Sequence, residues 1–213
     1  RKESSAASDV YKRQVTYPTG EPYTLVPIKI DISVIESLDP DKIYFIPIAI
    51  ADATPYPIVK KKGNALLQIQ KKNKYTSSAE PASYNASGYE GSGYFVITKT
   101  MVPLTKNRVR INIGTKRLPA EPENQPDFIK KNTIVIEVAD DNSLTVEPYD
   151  PEEMEVETVD VKVAHPGDNA YALYNNRLDP TTTTFCVCYK YRLKTGSWTE
   201  VREAIRLPVI VIE

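Results

Sequence analysis

The sequence predicts an all-β protein of two parts, the second an antiparallel barrel or sandwich of about eight strands. Three observations carry that prediction. Apolar and polar residues alternate at period two along most of the chain. Clusters of Asp, Asn, Ser, Gly and Pro separate the alternating stretches. Seventeen prolines in 213 residues leave no clean helical stripe.

The elements follow in order. Val26, Ile28, Ile30, Ile32 and Val34 share one face of a predicted strand, with Lys29, Asp31 and Ser33 opposite. Asp39-Pro40-Asp41 turns the chain. Residues 44–50 form a continuous apolar run, as expected of a strand buried on both faces, and Pro47 places it at an edge or bulge. Residues 65–70 give another short strand. From 71 to 93 the composition shifts to Ser, Ala, Gly and Tyr, predicting a linker and a long loop made flexible by Gly88, Gly91 and Gly93.

Strands resume at 94–101 and around Val109, Ile111 and Ile113. A Pro-rich loop is expected over 118–128. Ile134, Ile136 and Val138 lead through Asp140-Asp141-Asn142-Ser143 to Leu144 and Val146, the pattern of a hairpin. Residues 154–163 read as strand because Met154 and Val156 alternate with glutamates. Phe185, Val187, Tyr189 and Tyr191 share a strand face opposite Cys186, Cys188, Lys190 and Arg192. Gly196 ends that strand, and residues 198–205 pair back. No helix is expected.

Basic and acidic residues number 27 and 28, for a formal net charge of −1. That balance gives no electrostatic reason to expect nucleic acid, which selects strongly basic faces, and no polybasic membrane patch is expected. No apolar run approaches the roughly 18 residues of a spanning helix, so a soluble or surface-tethered protein is expected. Cys186 and Cys188 lie two apart on a strand, roughly 6.5–7 Å from one another and beyond disulfide reach. They are expected to be buried, inert thiols. No cofactor or metal site is predicted.

Residues 4–14 (Ser-Ser-Ala-Ala-Ser-Asp-Val-Tyr-Lys-Arg-Gln) match one translated frame of a library-preparation adapter. Residues 1–14 are therefore expected to be an artefact, with native sequence starting near Val15 and any signal or lipidation segment missing.

Three stretches carry a resemblance: Leu38-Asp39-Pro40-Asp41-Lys42-Ile43-Tyr44-Phe45-Ile46-Pro47-Ile48, then Lys106-Asn107-Arg108-Val109-Arg110, and residues 185–192 with Gly196-Ser197-Trp198-Thr199-Glu200. Together they resemble two-domain surface lipoproteins of gut Bacteroidetes, in which an immunoglobulin-like domain precedes an all-β C-terminal domain, both of unknown function. The resemblance implies that residues 15–70 are the remnant of an immunoglobulin-like sandwich lacking its early strands, and that 71–206 are the C-terminal domain. Residues 207–213 run past the family's usual end as an uncertain tail. It further implies a secreted, lipid-anchored protein at the outer membrane, working beside glycan-uptake proteins.

Catalytic signatures are missing. Asp140 and Asp141 belong to a turn, and Asp150, Glu152, Glu153, Glu155 and Glu157 to a solvated face, whereas a glycosidase sets two carboxyls across a cleft. His165, the single histidine, sits beside Pro166-Gly167 in a turn. The chain is expected not to be an enzyme. Its surplus is aromatic: fourteen tyrosines against four phenylalanines, unusual for a core in which each hydroxyl needs a partner. Tyr84, Tyr89 and Tyr94 around the Gly-rich loop, Tyr171 and Tyr174 in another loop, and Trp198 are the candidate ligand-binding residues. Their ring faces can stack on sugars while their polar tips bond hydroxyls. The predicted function is a non-catalytic cell-surface lipoprotein that binds polysaccharide or oligosaccharide as an accessory to glycan uptake. The alternative is a structural or assembly protein of the outer-membrane surface, acting through protein–protein contacts.

Overall fold

A strand exists only where a neighbour takes up its backbone groups, and this divides the chain. The computed structural model describes residues 15–16, 20, 23–53, 57–59 and 61–208. The artefact assigned to 1–14 and residues 209–213 of the tail lie outside the described residues.

The alternation from Val26 to Val34 does not make a strand. Residues 23–31 carry no sheet pairing, and Ile32–Ser37 form a short helix, α1, capped by the Asp31 carboxylate, which accepts the Ser33 N–H at 2.9 Å. Val26 and Ile32 stay exposed. Period two alone does not hold a strand when no partner strand and no second sheet cover it. β1 (Tyr44–Ala49) pairs antiparallel with β2 (Asn64–Ile69). The expected burial on both faces is overturned: β1 alternates half-buried and exposed, and Phe45 is 52% exposed. Pro47 sits where the sequence placed it, on a strand that pairs along one side only among the described residues.

The rest of the chain forms two antiparallel sheets packed as a sandwich, so the fold is all-β but not a closed barrel. Residues 83–93, expected to be flexible loop, are strand and tight turn. β3 (Ser83–Glu90) and β4 (Gly93–Thr100) make a hairpin whose turn holds Gly91 at φ +57°. Only glycine takes that conformation cheaply in a two-residue turn. β5 (Val102–Pro103) and β6 (Arg108–Asn112) follow.

The predicted loop before β7 contains a helix, α2 (Gln125–Asn132), with Pro126 in its first turn and Lys130 and Lys131 in its last. Proline there costs nothing because its missing N–H would be unsatisfied anyway, and the lysines suit the helix dipole. β7 (Thr133–Val138) and β8 (Leu144–Pro148) are the predicted hairpin. β9 (Met154–Thr158) ends earlier than expected, because Asp160 caps a short helix, α3 (Val161–Ala164). β10 (Arg177–Asp179), β11 (Thr184–Leu193) and β12 (Thr199–Arg206) complete the fold.

One sheet runs β5-β6-β7-β8. The other runs β10-β11-β12-β3-β4, with β9 also along β11. Between them lies the main core, built from Phe95, Ile111, Ile134, Ile136, Phe185, Val187, Val201 and Ile205 among others. A buried charge pair sits in the same layer. Lys99 meets the Glu203 carboxylate, both side chains sealed from water, and the Lys99 ammonium also donates to the Asn112 carbonyl at 2.9 Å. The Tyr189 hydroxyl donates to Glu203 at 2.9 Å and accepts from the Gly114 N–H at 3.1 Å. Burial pushes the Lys99 amine below its ordinary value against the opposing pull of Glu203.

Two of the resemblance motifs meet in space. Asp41 takes Arg110 in a two-pronged bond at 2.7 and 2.6 Å, and the Arg110 guanidinium lies over the Tyr149 ring.

Candidate functional site

Each strand of the six-stranded sheet has one face toward the core, so its alternate residues form a second, outward surface. Strand register sets these residues in rows that cross the sheet. Val96, Ser87, Ala204, Cys186 and Arg177 stand side by side on β4, β3, β12, β11 and β10. Small side chains dominate the middle of that row, and they form the floor of a trough of about 670 Å³.

Rows on either side flank that floor. On one, Tyr94, Tyr89, Arg202 and Cys188 are cross-strand partners in sequence. On the other, Thr98, Asn85, Arg206, Thr184 and Asp179 are. Asn85, Arg206, Thr184 and Asp179 of the polar row line the trough, whereas the aromatic row lies one register step away beside its floor. The trough crosses five strands, a length of about 19 Å at the usual strand spacing.

The connection from β9 to β10 lies over the aromatic end. Val159, Val161 and Tyr174 pack on Cys188 as a small second core, with Tyr171 and Ala204 against it. Ala172, Leu173 and Asn175 of this connection line the trough. Its anchor is polar. The Tyr171 hydroxyl donates to Glu200 at 2.8 Å, His165 Nε2 lies 3.1 Å from the other Glu200 oxygen, and the His165 and Tyr171 rings stack at 3.6 Å. Arg202 fills the gap, its guanidinium 4.4 Å from the Tyr89 ring and 4.1 Å from the Tyr171 ring.

Burial, then the bond to Glu200, pushes the Tyr171 hydroxyl up to about 12, so it stays a donor at neutral pH. Burial likewise pushes the Cys188 thiol up to about 12 and raises that of Cys186. Both cysteines are free and buried, on the strand face the sequence assigned them. A thiol held protonated is a poor nucleophile.

Of the predicted site residues, the structure gathers Tyr89, Tyr94 and Tyr171 around Arg202. Tyr89 and Tyr94 meet edge to face at 5.2 Å, and Tyr94 is 63% exposed. Tyr174 lies beneath them, buried, as a support rather than a contact surface. Tyr84 is a correction: it faces the core, fully buried, its hydroxyl donating to the Tyr75 carbonyl at 2.9 Å. An even number of residues from a core position keeps a side chain inside, and Tyr84 is in phase with Ala86 and Gly88. Trp198 stands apart, stacked by Lys190 at 4.8 Å and Arg192 at 4.9 Å.

Sequence reasoning missed Arg202, Glu200 and the role of His165. The alternation of β12 marks Glu200, Arg202, Ala204 and Arg206 as one face. What crosses from β3 and from the β9–β10 connection was not readable. Among the described residues no group of three or more His, Cys, Asp and Glu is placed to hold a metal ion.

Comparison with known proteins places the domain. A family model described as a "-like, C-terminal" domain matches residues 63–206. The chain belongs to that C-terminal-domain family. The trough, the aromatic row beside it and the covering connection lie inside the matched span. Among curated proteins none matches.

Solved structures similar to the chain include two structural-genomics proteins of unknown function from Bacteroides ovatus. One has 12% identity and a TM-score of 0.40 over 71% of this chain and 47% of its own. The other has 16% identity and a TM-score of 0.39 over 76% and 57%. A multidomain protein including DUF1735, from the same organism, has 14% identity and a TM-score of 0.37 over 68% and 53%. The chain thus spans about half the length of the solved structures it matches.

Proposed function

We propose that the chain is a non-catalytic binding protein that holds a polysaccharide or oligosaccharide in the outer-face trough, as a cell-surface accessory to glycan uptake. One observation carries this reading: small residues floor a trough edged by the polar Asn85, Arg206 and Thr184, with the Tyr89–Tyr94 pair, Tyr94 exposed, one register step away on the same sheet face. A sugar ring has apolar faces and a rim of hydroxyls, so the trough's polar edge bonds it and the neighbouring tyrosines offer ring faces to stack a chain that extends past it. The frame is rigid sheet, which keeps these residues in place without a ligand. A secreted, lipid-anchored protein at the outer membrane, working next to glycan-uptake partners, is the setting in which such a trough serves.

Affinity electrophoresis and a glycan array test it. Tyr94→Ala, at an exposed position, should lose retention by tenfold or so, the scale of one stacking contact. Trp198→Ala, away from the trough, should keep it. Absence of retention on plant, host and microbial glycans alike would sink the proposal.

The second reading, a structural or assembly protein of the outer-membrane surface, is favoured by β1. It pairs on one side only among the described residues, and it carries exposed apolar side chains such as Phe45. It predicts co-purification with outer-membrane proteins, lost on a Phe45→Lys change and indifferent to sugars.

A further inference from the structure

The six-stranded sheet has one edge that no other strand takes up among the described residues. β4 ends the sheet and pairs only with β3, in eight uninterrupted cross-strand pairs. In an antiparallel ladder, successive residues of a strand bond alternately to one side and the other. The two-residue turn at Gly91 and Ser92 makes Glu90 and Gly93 a bonded pair. Phe95, Ile97 and Lys99, in phase with Gly93, therefore spend their N–H and C=O groups on β3. Tyr94, Val96 and Thr98 turn theirs to the open edge, where no backbone bond reaches them among the described residues.

The other outer strands are engaged or blunted. At β10, Arg177 bridges to Ser143 and donates to the Asp141 carbonyl at 2.6 Å. At β8, the Leu144 N–H donates to the Asn176 carbonyl at 2.8 Å and the Val146 N–H to the Thr158 hydroxyl at 2.7 Å. β5 and β1 carry Pro103 and Pro47, which lack the donor. β4 has no proline, no bulge and no charge on its outward face, the usual guards of an edge. Lys99, its one charged residue, points inward to Glu203. Tyr94 and Val96 are 63% and 66% exposed, and Thr98 is exposed with them. Tyr89, Ser87 and Asn85, next to them on β3, are uncharged too.

We infer that a second copy of this chain pairs antiparallel along β4, about a two-fold axis through Val96. Val96 then faces its own counterpart, and Tyr94 of each copy stands opposite Thr98 of the other. The open N–H and C=O groups of all three residues gain partners, and no like charges meet. The axis is normal to the sheet, so both outer faces stay on one side. Val96 lines the trough at its β4 end. Pairing there runs two troughs into one groove of about twice the length. The inference stands on the strand edge and does not need the glycan reading.

Sedimentation equilibrium of the full chain over a range of concentrations tests it, with circular dichroism confirming the fold of each variant. The wild type is expected to approach twice the monomer mass. Val96→Pro removes an outward donor and leaves the bonds to β3 whole, whereas Val96→Lys sets two ammonium groups across the axis. Each should weaken the dimer about tenfold or more. Leu118→Lys, at an exposed position elsewhere, should change nothing. Val96→Cys should give a disulfide-linked dimer on oxidation, because directly paired Cα atoms lie within disulfide reach. A monomer at every concentration overturns the inference. A dimer that neither variant weakens and Val96→Cys does not trap also overturns it, placing the contact on another surface such as β1.

Discussion

The two faces of the six-stranded sheet use the same residue types for opposite ends. Inward, Tyr84, Tyr189 and Tyr191 are buried and each hydroxyl has an acceptor: the Tyr75 carbonyl, Glu203 and Glu90. Outward, Tyr89 and Tyr94 keep ring surface open beside an arginine. Charges divide similarly. Lys99 and Glu203 are sealed together inside, whereas Lys190 and Glu157, 2.7 Å apart outside, remain in contact with water. A tyrosine surplus is thus no binding signal by itself; the face of the strand decides which ring is scaffold and which is site. The inner face explains why the outer one is rigid.

The charge pairs give the sharpest test of that contrast. Lys99→Met strands a buried carboxylate and should cost about 3–5 kcal/mol in urea denaturation, with Glu203→Leu added on top recovering most of it. Lys190→Met should cost under about 1 kcal/mol, since that pair is solvated. Similar costs for the two would mean that the inner pair is not sealed.

The glycines of the β3–β4 hairpin come next. A methyl at Gly88 would stand 2.0 Å from the Arg202 carbonyl oxygen and 2.7 Å from Glu203 Cα. Backbone cannot yield as a side-chain tip does, so Gly88→Ala should cost about 3 kcal/mol. At Gly93 the nearest atom is 3.5 Å away, and Gly93→Ala should stay within about 0.5 kcal/mol. A mild Gly88→Ala would show that the two central strands are less closely spaced than described.

The tyrosine comparison is smaller. Tyr84→Phe removes a buried bond and should cost about 1 kcal/mol, while Tyr89→Phe should be neutral within about 0.5 kcal/mol. Equal effects from chemical denaturation would erase the distinction between the faces.

Glu90 gives the smallest effect, and its sign follows from its surroundings. Burial raises its carboxyl, but bonds from the Tyr191 hydroxyl and from Thr115 outweigh that and hold it below the usual range. A group depressed on folding stabilises fully above its unfolded value of about 4.3, and the contribution fades as pH falls through the folded value. The stability gap between wild type and Glu90→Gln should therefore shrink on acidification below that pH. A gap that widens instead would contradict the bonding described.

Particular residues show what could be read in advance. Asp141 accepts the Ser143 N–H and hydroxyl in the predicted hairpin turn, and Glu155 and Glu157 lie on the exposed face their alternation gave them. The Cys186 and Cys188 face was likewise legible. Even the buried pair left a trace, since Glu203 falls in the apolar phase of Val201 and Ile205, and Lys99 in that of Phe95 and Ile97.

Periodicity and turn chemistry are local, so the sequence by itself determined the all-β class, most strands and the side of each strand on which a residue lies. Whether the Val26–Val34 alternation becomes a strand depends on a partner elsewhere, and here α1 took part of it. Which rows cross the sheet, whether Tyr84 or Tyr89 meets solvent, and how His165, Tyr171 and Glu200 clasp Arg202 depend on register and packing between segments far apart in the chain. Those long-range pairings are set by the tertiary structure, because their energy comes from neighbours that no local pattern names.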